Sequence, residues 1–183
     1  RLLLTKGPAI ETAGVLGTVF GEVAGLSAAT VAQARERFFE TSPVRDAVVA
    51  GATGAVTAMH DATEGGLANG LHELAHASDV GLAVDAAAVP VAPGVEAICA
   101  AFDVDPWQAS SSGTVLMTVE PEGVEAVLAA LADQDIAAAE VGAVTEERAV
   151  RVDGEPIQPP EQDPFWPAYE RARERHGPPE HRD

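Results

Sequence analysis

The fold is decided by the stretch Met59-His60-Asp61-Ala62-Thr63-Glu64-Gly65-Gly66-Leu67. The residues that lead into it, 55–59, are mostly apolar and form a run of the length expected for a β-strand. Beyond it, apolar residues recur with the spacing of one helix face, at Leu67, Leu71, Leu74 and Ala75. The stretch is therefore predicted to be the turn of a strand-turn-helix unit, with the helix beginning near the two glycines.

The chemistry of this turn suits an anion. A strand that turns sharply through Thr-x-Gly-Gly into a helix leaves backbone N–H groups bare at the helix N-terminus. Those donors and the positive end of the helix dipole favour a phosphate or a carboxylate, and glycine lets a ligand approach the backbone closely. An alternative stays open, in which Thr63 caps a tight turn and Gly65 and Gly66 serve packing only.

The composition is that of one soluble-type domain with a trailing segment. The chain has 183 residues, of which 46% are hydrophobic but only 4% aromatic, so its core must be built from Ala, Val and Leu. No apolar run approaches the roughly 20 residues that cross a bilayer, and no signal peptide is recognisable. The single cysteine, Cys99, excludes an internal disulfide and is predicted to be a buried structural thiol. A cytoplasmic location is expected.

The charge is strongly negative. The formal net charge is −18, and Lys6 is the only lysine in the sequence. Such a surface repels nucleic acids and anionic membranes, so neither is expected as a partner. Because dissolved salt screens self-repulsion, we interpret the charge as an adaptation to a salt-rich, halophilic cytoplasm.

Strand patterns and helix patterns alternate along the chain. Apolar and β-branched runs predict strands at 2–4, 55–59, 80–84 and 114–119, and a final strand pair at 136–144 and 149–152 around the turn Thr145-Glu146-Glu147. Periodic apolar residues predict helices at 8–20, 28–39, 44–50, 67–77, 95–102 and 121–131. The class is therefore α/β or α+β, with helices covering a mixed sheet.

The two ends of the sequence bear on domain organisation. Residue 1 is Arg and a strand pattern begins at Leu2, so we expect the chain to be part of a longer protein. From Gly154 the composition changes to Pro, Glu and Arg, and 163–175 has the pattern of a solvated terminal helix. We therefore divide the sequence into one domain, 1–153, and a C-terminal tail, 154–183.

A lysine stands at the first predicted strand-to-helix turn, Thr5-Lys6-Gly7. Lys6 could reach a phosphate there, and Glu11, one helical turn on, could hold it in place or bind a metal ion. The avoidance of lysine elsewhere favours a functional role. The alternative is a surface ion pair worth under about 1 kcal/mol.

A hydroxyl-rich segment, Ser110-Ser111-Ser112-Gly113-Thr114, leads into a predicted strand. Its hydroxyls and N–H groups could bind a polar ligand, but the same composition is typical of an ordinary turn. No histidine is spaced so as to single out one serine as a nucleophile, and a serine hydrolase is therefore not supported.

The sequence His72-Glu73-Leu74-Ala75-His76 matches the His-Glu-x-x-His zinc motif. On a helix, His72 and His76 share a face, so they could bind Zn²⁺ with Glu73 as general base. The metzincin extension fails, because Asp79 stands where glycine is required and no third histidine follows. A solvated polar face is the alternative, since Leu74 and Ala75 point to the core.

Taken in order, several of these segments resemble one protein family. They are His60-Asp61-Ala62-Thr63-Glu64-Gly65-Gly66-Leu67 and Leu71-x-Glu73-Leu74-Ala75-x-Ala77-Ser78-x-Val80-Gly81, with Leu4-Thr5-Lys6-Gly7-Pro8-Ala9-Ile10-Glu11 before them and Ser111-Ser112-Gly113-Thr114-Val115-Leu116 after them. Over about residues 1–152, the sequence resembles the C-terminal domain of the aminoimidazole ribonucleotide (AIR) synthase-related superfamily. The HypE-type hydrogenase-maturation members, which are carbamoyl dehydratases, and their archaeal relatives are the most similar in these segments.

The resemblance implies an α+β fold of three layers, α/β/α, in which helices cover a mixed sheet. It also implies a two-domain enzyme whose N-terminal domain carries most ligands of Mg²⁺ and ATP and makes a homodimer. The C-terminal domain then closes the cleft, with its Gly-rich turn toward a small anionic substrate. ATP and Mg²⁺ are expected for the full-length enzyme, and no cofactor for this part alone. In relatives Glu73 recurs while its neighbours vary, so the two histidines are incidental.

Two departures limit what the resemblance implies. The ATP-binding domain is absent from this sequence, and Glu180-His181-Arg182-Asp183 stands where the carbamoyl dehydratases end in a cysteine that carries the transferred group. We therefore expect the substrate-side domain of an ATP-dependent enzyme, inactive alone. The alternatives are a zinc-dependent hydrolase using His72, Glu73 and His76, and a non-catalytic ligand-binding or scaffold domain. The candidate substrate- or phosphate-binding residues are Asp61, Thr63, Glu64, Gly65 and Gly66 at the bend, with Lys6, Glu11, Ser111, Ser112 and Gly113.

Overall fold

The computed structural model describes residues 1–177, which contain a seven-stranded mixed sheet. In chain order the strands are β1 (Leu2–Thr5), β2 (Val56–Asp61), β3 (Gly81–Val84), β4 (Val115–Val119), β5 (Ala138–Thr145), β6 (Val150–Val152) and β7 (Glu155–Pro156). Across the sheet the order is β2-β4-β1-β5-β3-β6-β7. β3 and β6 are parallel neighbours, and the other pairs are antiparallel.

The helices lie on both faces of the sheet and at one of its ends. They are α1 (Ile10–Phe20), α2 (Ala28–Phe38), α3 (Val44–Gly51), α4 (Gly66–Ser78), α5 (Val95–Phe102), α6 (Val124–Ala132) and α7 (Phe165–His176). The predicted helices agree with these bounds to within a few residues. The helix predicted at 121–131 differs, because it begins as a separate 3-10 turn, Pro121–Gly123, before α6.

The sheet is covered on both faces at β1, an inner strand that lies between β4 and β5. Leu2 and Leu4 pack with α4 on one face, whereas Leu3 packs with α3 and α6 on the other, and all three are fully buried. Alternate side chains of a strand point to opposite faces, so an unbroken apolar strand is what a sheet between two helix layers requires. The predicted α+β class and the three-layer α/β/α arrangement are confirmed.

A third apolar cluster lies between helices, beyond the carboxyl end of β1. Its buried members come from α1, α2, α5, α7 and the loop after α5, and Phe20 stands among them with its ring 5.3 Å from that of Tyr169. This cluster joins the helix that follows β1 to the helix that ends the described chain. The C-terminal helix is therefore part of the same packed body as the sheet domain.

Two expectations about the C-terminal third are wrong. β5 and β6 do not form a strand pair, because β3 lies between them, antiparallel to β5 and parallel to β6. The terminal helix exists, but it is not simply solvated, since Phe165, Ala168 and Ala172 are buried in the helical cluster. The division at 153 and 154 stays a prediction, and the terminal residues 180–183 lie outside the described residues. Within residues 1–177, no helix is both long and apolar enough to cross a membrane.

Candidate functional site

The structure brings the three predicted segments to one edge of the sheet. β1 and β2 both run antiparallel to β4, so the carboxyl ends of β1 and β2 lie beside the start of β4. The Ala62 N–H donates to the Thr114 carbonyl at 3.0 Å, and the Ser111 N–H donates to the Thr63 carbonyl at 3.2 Å. Segments about fifty residues apart in the sequence therefore form one continuous surface, which we call the polar edge: residues 5–11, 61–66 and 110–114.

Part of the polar edge is a buried hydrogen-bond lattice. The Thr114 hydroxyl donates to the Gly7 carbonyl at 2.6 Å, and the Ser111 hydroxyl accepts from the Ile10 N–H at 3.2 Å. Ser111 is fully buried, and so is Thr114. Buried polar groups need partners, and these groups supply one another. Ser111 therefore holds β1 to β4 and does not face a ligand in this structure.

The glycine bend requires glycine at both positions. Gly65 and Gly66 have φ of 76° and 59°, and a Cβ on Gly66 would lie 2.4 Å from the Ala109 carbonyl oxygen. Residues other than glycine are strained at such φ, and no side chain fits that distance. The bend is therefore fixed by close packing against the segment that leads to Ser110.

The amides of the bend are already paired. The Gly66 N–H donates to the Thr63 carbonyl at 3.0 Å, and the Ala68 N–H donates to the Trp107 carbonyl at 2.8 Å. The expectation of bare amides is wrong for these two positions and for Gly65. The alternative interpretation was a tight turn capped by Thr63. It is wrong about the cap, because the side chain of Thr63 does not cap α4.

The partner of the Gly65 amide is a carboxylate from the C-terminal segment. Asp163 Oδ2 accepts from the Gly65 N–H at 2.8 Å and from the Ser110 hydroxyl at 2.6 Å. Oδ1 accepts from the Ser110 N–H at 3.3 Å and from the Phe165 N–H at 2.9 Å. Asp163 is only 3% exposed. An anion does bind at this bend, and it belongs to the chain itself.

Lys6 is held by backbone carbonyls and one buried acid. Its ammonium donates to the carbonyls of Glu40, Ser42 and Gly113, each at 3.0 Å. The Asp46 carboxylate lies 3.1 Å from the same ammonium, in a pair whose side chains are 11% and 2% exposed. All three N–H groups point at carbonyls, so Asp46 Oδ2 faces the charge without a hydrogen bond of its own. The suggested pairing of Lys6 with Glu11 is wrong.

The exposed part of the polar edge is acidic. Glu11 instead accepts a hydrogen bond from the Ser112 hydroxyl at 2.6 Å, and both side chains are partly exposed. Asp61, Thr63 and Glu64, in the bend, are exposed. These five residues and the half-buried Lys6 are the residues of the polar edge that are not fully buried.

The His-Glu-x-x-His string has other partners. His72 Nε2 is 2.8 Å from the Ile157 carbonyl oxygen, and the Glu73 carboxylate is 2.7 Å from His60 Nε2. His76 is exposed on the same helix face. In the described part of the chain, no group of three or more His, Cys, Asp or Glu side chains is placed to hold a metal ion. The arrangement is that of a polar outer helix face.

Cys99 is a buried thiol of α5, as predicted. It is 2% exposed, and burial raises its pKa to about 12, with a smaller contribution from the negative charge of Asp105. A thiol that stays protonated is a poor nucleophile. Cys99 is therefore part of the helical core.

Sequence reasoning missed the role of Asp163. Its only sequence signal is the Asp-Pro step that opens α7, which predicts a helix start. Its partners Gly65 and Ser110 lie 98 and 53 residues away, so no local pattern connects them. Asp46 was missed for the same reason.

Comparison with known proteins decides the family. The model of the AIR synthase related protein C-terminal domain matches residues 1–155. The chain belongs to this family. Among curated relatives, the carbamoyl dehydratase HypE of Escherichia coli is 37% identical over 101 residues, covering 54% of this chain and 30% of that protein. The thiamine-monophosphate kinase of Halobacterium salinarum is 35% identical over 155 residues, covering 82% of this chain and 51% of the kinase.

Solved structures of AIR synthase-related proteins share the fold. The crystal structure of Escherichia coli HypE superposes with a TM-score of 0.70 at 27% identity, covering 89% of this chain and 50% of that one. A HypE solved in complex with ATP gives a TM-score of 0.64 at 22% identity, which shows a common fold. The chain thus spans about half the length, or less, of the relatives it matches.

Proposed function

We propose that the chain is the substrate-side domain of an ATP-dependent enzyme of the AIR synthase-related family. The observation that carries the proposal is the convergence of residues 5–11, 61–66 and 110–114 on one sheet edge. Open polar ends of strands in layered α/β structures are common ligand sites. The names of the relatives support it, since one is a carbamoyl dehydratase, another is a kinase, and one HypE was solved with ATP.

The residues of this chain do not themselves fit a triphosphate. Lys6 is enclosed by three carbonyls and Asp46, and the Gly65 amide is bound to Asp163. Glu11, Asp61 and Glu64 add negative charge around the open surface. A nucleotide phosphate needs cations or free amides. We therefore assign ATP and Mg²⁺ to the N-terminal domain of the full-length protein, which would also form the homodimer.

The polar edge would bind and orient the substrate. Glu11 stands in the first turn of α1, and its bond to Ser112 fixes both groups relative to the end of β4. Together with Asp61, Thr63 and Glu64, they can position a small polar substrate and exclude water when the second domain closes over it. The rigid lattice beneath them supplies the preorganisation that positioning requires.

Calorimetry on the full-length protein, with its upstream domain and in high salt, tests this proposal. We expect Mg²⁺-dependent binding of ATP, and no ATP affinity in residues 1–183 alone. Full-length protein without nucleotide affinity would overturn the proposal. Binding without any turnover would favour the non-catalytic ligand-binding alternative.

A pair of matched variants tests the role of the edge. Glu11→Gln should lower turnover of the full-length enzyme by about tenfold or more, as expected for loss of one charged hydrogen bond to a bound ligand. Glu96→Gln is the control, because Glu96 is an exposed acid in the first turn of α5, away from the edge. Equal effects of the two substitutions would contradict the assignment.

A further inference from the structure

Exposed apolar side chains are grouped at the end of α2 and on α3. Among the described residues, eight large hydrophobic side chains are exposed, and four of them fall within one short stretch: Phe38, Phe39, Val44 and Val48. Phe39 is 86% exposed, and its ring lies edge-on to that of Phe38 with the centroids 6.0 Å apart. Val44 and Val48 stand one above the other on successive turns of α3. With the exposed Val91, we call these residues the apolar rim.

The composition of this stretch differs from that of the whole chain. Aromatic residues make up 4% of the sequence, and two of its five phenylalanines are the exposed Phe38 and Phe39. Residues 35–48 contain three arginines and three acidic residues, whereas the whole chain has a net charge of −18. Surfaces that bind other proteins are rich in aromatic residues and arginine and poor in acidic residues. Grouped exposed apolar side chains of this composition therefore mark a surface that a protein covers.

The apolar rim borders the polar edge. The Lys6 ammonium donates to the carbonyls of Glu40 and Ser42 at 3.0 Å. Gly113 packs on the same loop so closely that a Cβ there would lie 2.1 Å from the Glu40 carbonyl oxygen. The backbone next to Phe39 is therefore fixed against the polar edge, and a domain that closes over the edge would meet the Phe39 ring.

A cleft of about 490 Å³ lies within the apolar rim, lined by Phe39 on one element and by Pro90 and Val91 on another. Its volume suits an apolar side chain of a partner, and a few such anchors supply most of the binding energy of an interface. The cations Lys6 and Arg37 also line it, but both are already bonded to acceptors of the protein. The cleft therefore fits an apolar anchor better than a small anion.

We propose that the apolar rim is the docking surface for the upstream domain of the full-length protein, with an apolar side chain of that domain in the cleft. The inference rests on the proposed function for the presence of this domain. The relatives support a partner of that size, because the family model describes a C-terminal domain and half of the Escherichia coli HypE chain lies outside the match. The position beside the polar edge favours this domain over a second copy of the chain.

Hydroxyl-radical footprinting of the wild-type sequence tests the docking surface without any substitution. The oxidation rates of Phe38 and Phe39 are compared between residues 1–183 and the full-length protein by mass spectrometry. We expect both to be oxidised more slowly in the full-length protein, by about fivefold or more, as for side chains in the core of an interface. Trp166, an exposed aromatic residue of α7, is the control and should be oxidised equally in both proteins.

A substitution gives a second readout of the same surface. Phe39→Ser should lower the melting temperature of the full-length protein by about 2 °C or more beyond its effect on residues 1–183, because only the full-length protein loses a buried ring. Trp166→Ser should shift the two proteins equally.

Two results would overturn the inference. One is equal oxidation of Phe39 in the two proteins. The other is protection of Phe39 already in residues 1–183 that grows with protein concentration, which would assign the surface to a second copy of the chain. Calorimetry of ATP binding is an independent measurement. Nucleotide binding with an unprotected Phe39 would sink this inference alone, and protection without nucleotide affinity would sink the proposed function alone.

Discussion

Lys6 and Asp46 form the most buried ion pair among the described residues. Lysine is costly to bury, because its ammonium must replace its hydration with protein acceptors. Here three carbonyls and one carboxylate supply them. The only lysine of the sequence therefore joins the end of β1 to the loop before α3. Its presence in a sequence that otherwise has no lysine thus has a structural explanation, and a phosphate ligand is not needed to account for it.

Lys6→Met should destabilise the protein by about 3–5 kcal/mol, because it leaves the Asp46 charge buried without a partner. The free energy of unfolding in urea measures this loss. The double variant Lys6→Met/Asp46→Leu should recover much of it. Arg35→Met is the control: it removes one partner of an exposed pair and should cost under about 1 kcal/mol. Unchanged stability of Lys6→Met, with weaker ligand binding in the full-length protein, would restore Lys6 as a ligand residue.

The Cys99 thiol predicts an alkaline loss of stability. Its folded pKa of about 12 lies above its ordinary value of 9.0, so above pH 9 the unfolded chain releases a proton that the folded chain keeps. The free energy of unfolding should therefore fall between pH 9 and 12, by about 1.4 kcal/mol per pH unit. Urea titrations at several pH values should show this slope in the wild type and its absence in Cys99→Ala. Parallel pH profiles of the two proteins would mean that the thiol is not buried in this way.

At the scale of elements, α7 links the C-terminal segment to the domain. One face of this helix buries Phe165, whereas its neighbour Trp166 is 53% exposed. Large aromatic side chains stabilise a structure in proportion to the area they bury. Truncation of Phe165 therefore tests the packing of α7 on the domain, and truncation of the neighbouring Trp166 is its control.

Phe165→Ala should lower the free energy of unfolding by about 3 kcal/mol, the ordinary cost of truncating a buried aromatic residue. Trp166→Ala should lower it by under about 1 kcal/mol, since that ring is half in solvent already. Urea denaturation followed by circular dichroism measures both. Equal, small effects would show that α7 is not docked on the helical cluster.

The elements themselves follow from local patterns, and their pairing does not. The apolar residues 2–4 and the helical spacing from Leu67 to Ala75 are complete within short windows, so β1 and α4 were predictable. The partner of β6 is β3, about seventy residues earlier, and no local signal distinguishes it from β5. The solvated reading of α7 failed because three buried residues among many charged ones give a weak apolar stripe.

The same distinction applies to the site. The glycine bend was predictable because glycine reports a backbone requirement directly. The pairing of its Gly65 amide with Asp163 was not predictable, because no local sequence pattern connects two residues that are nearly a hundred positions apart. Lys6 is a different case. Because it is the only lysine, the sequence indicated that it matters, but only the structure shows that its role is to pair with the buried Asp46.

At the scale of the whole molecule, the net negative charge affects stability more than any single ion pair does. The sequence has 29 acidic and 11 basic residues, so acidic side chains outnumber basic ones by eighteen. Their mutual repulsion favours the expanded, unfolded chain, and salt weakens it. Raising sodium chloride from about 0.05 to about 0.5 M should increase the melting temperature by several degrees, and potassium chloride should act equally. A melting temperature independent of salt would refute the halophilic interpretation.

The central claim is that the polar edge faces the ligand cleft. The most direct test is hydrogen exchange in the full-length protein with and without Mg²⁺ and ATP. Peptides that contain residues 61–66 and 110–114 should exchange more slowly in the complex. Peptides across residues 143–150, at the opposite end of the strands, should not change. Protection confined to that opposite end, with none at the polar edge, would contradict the claim.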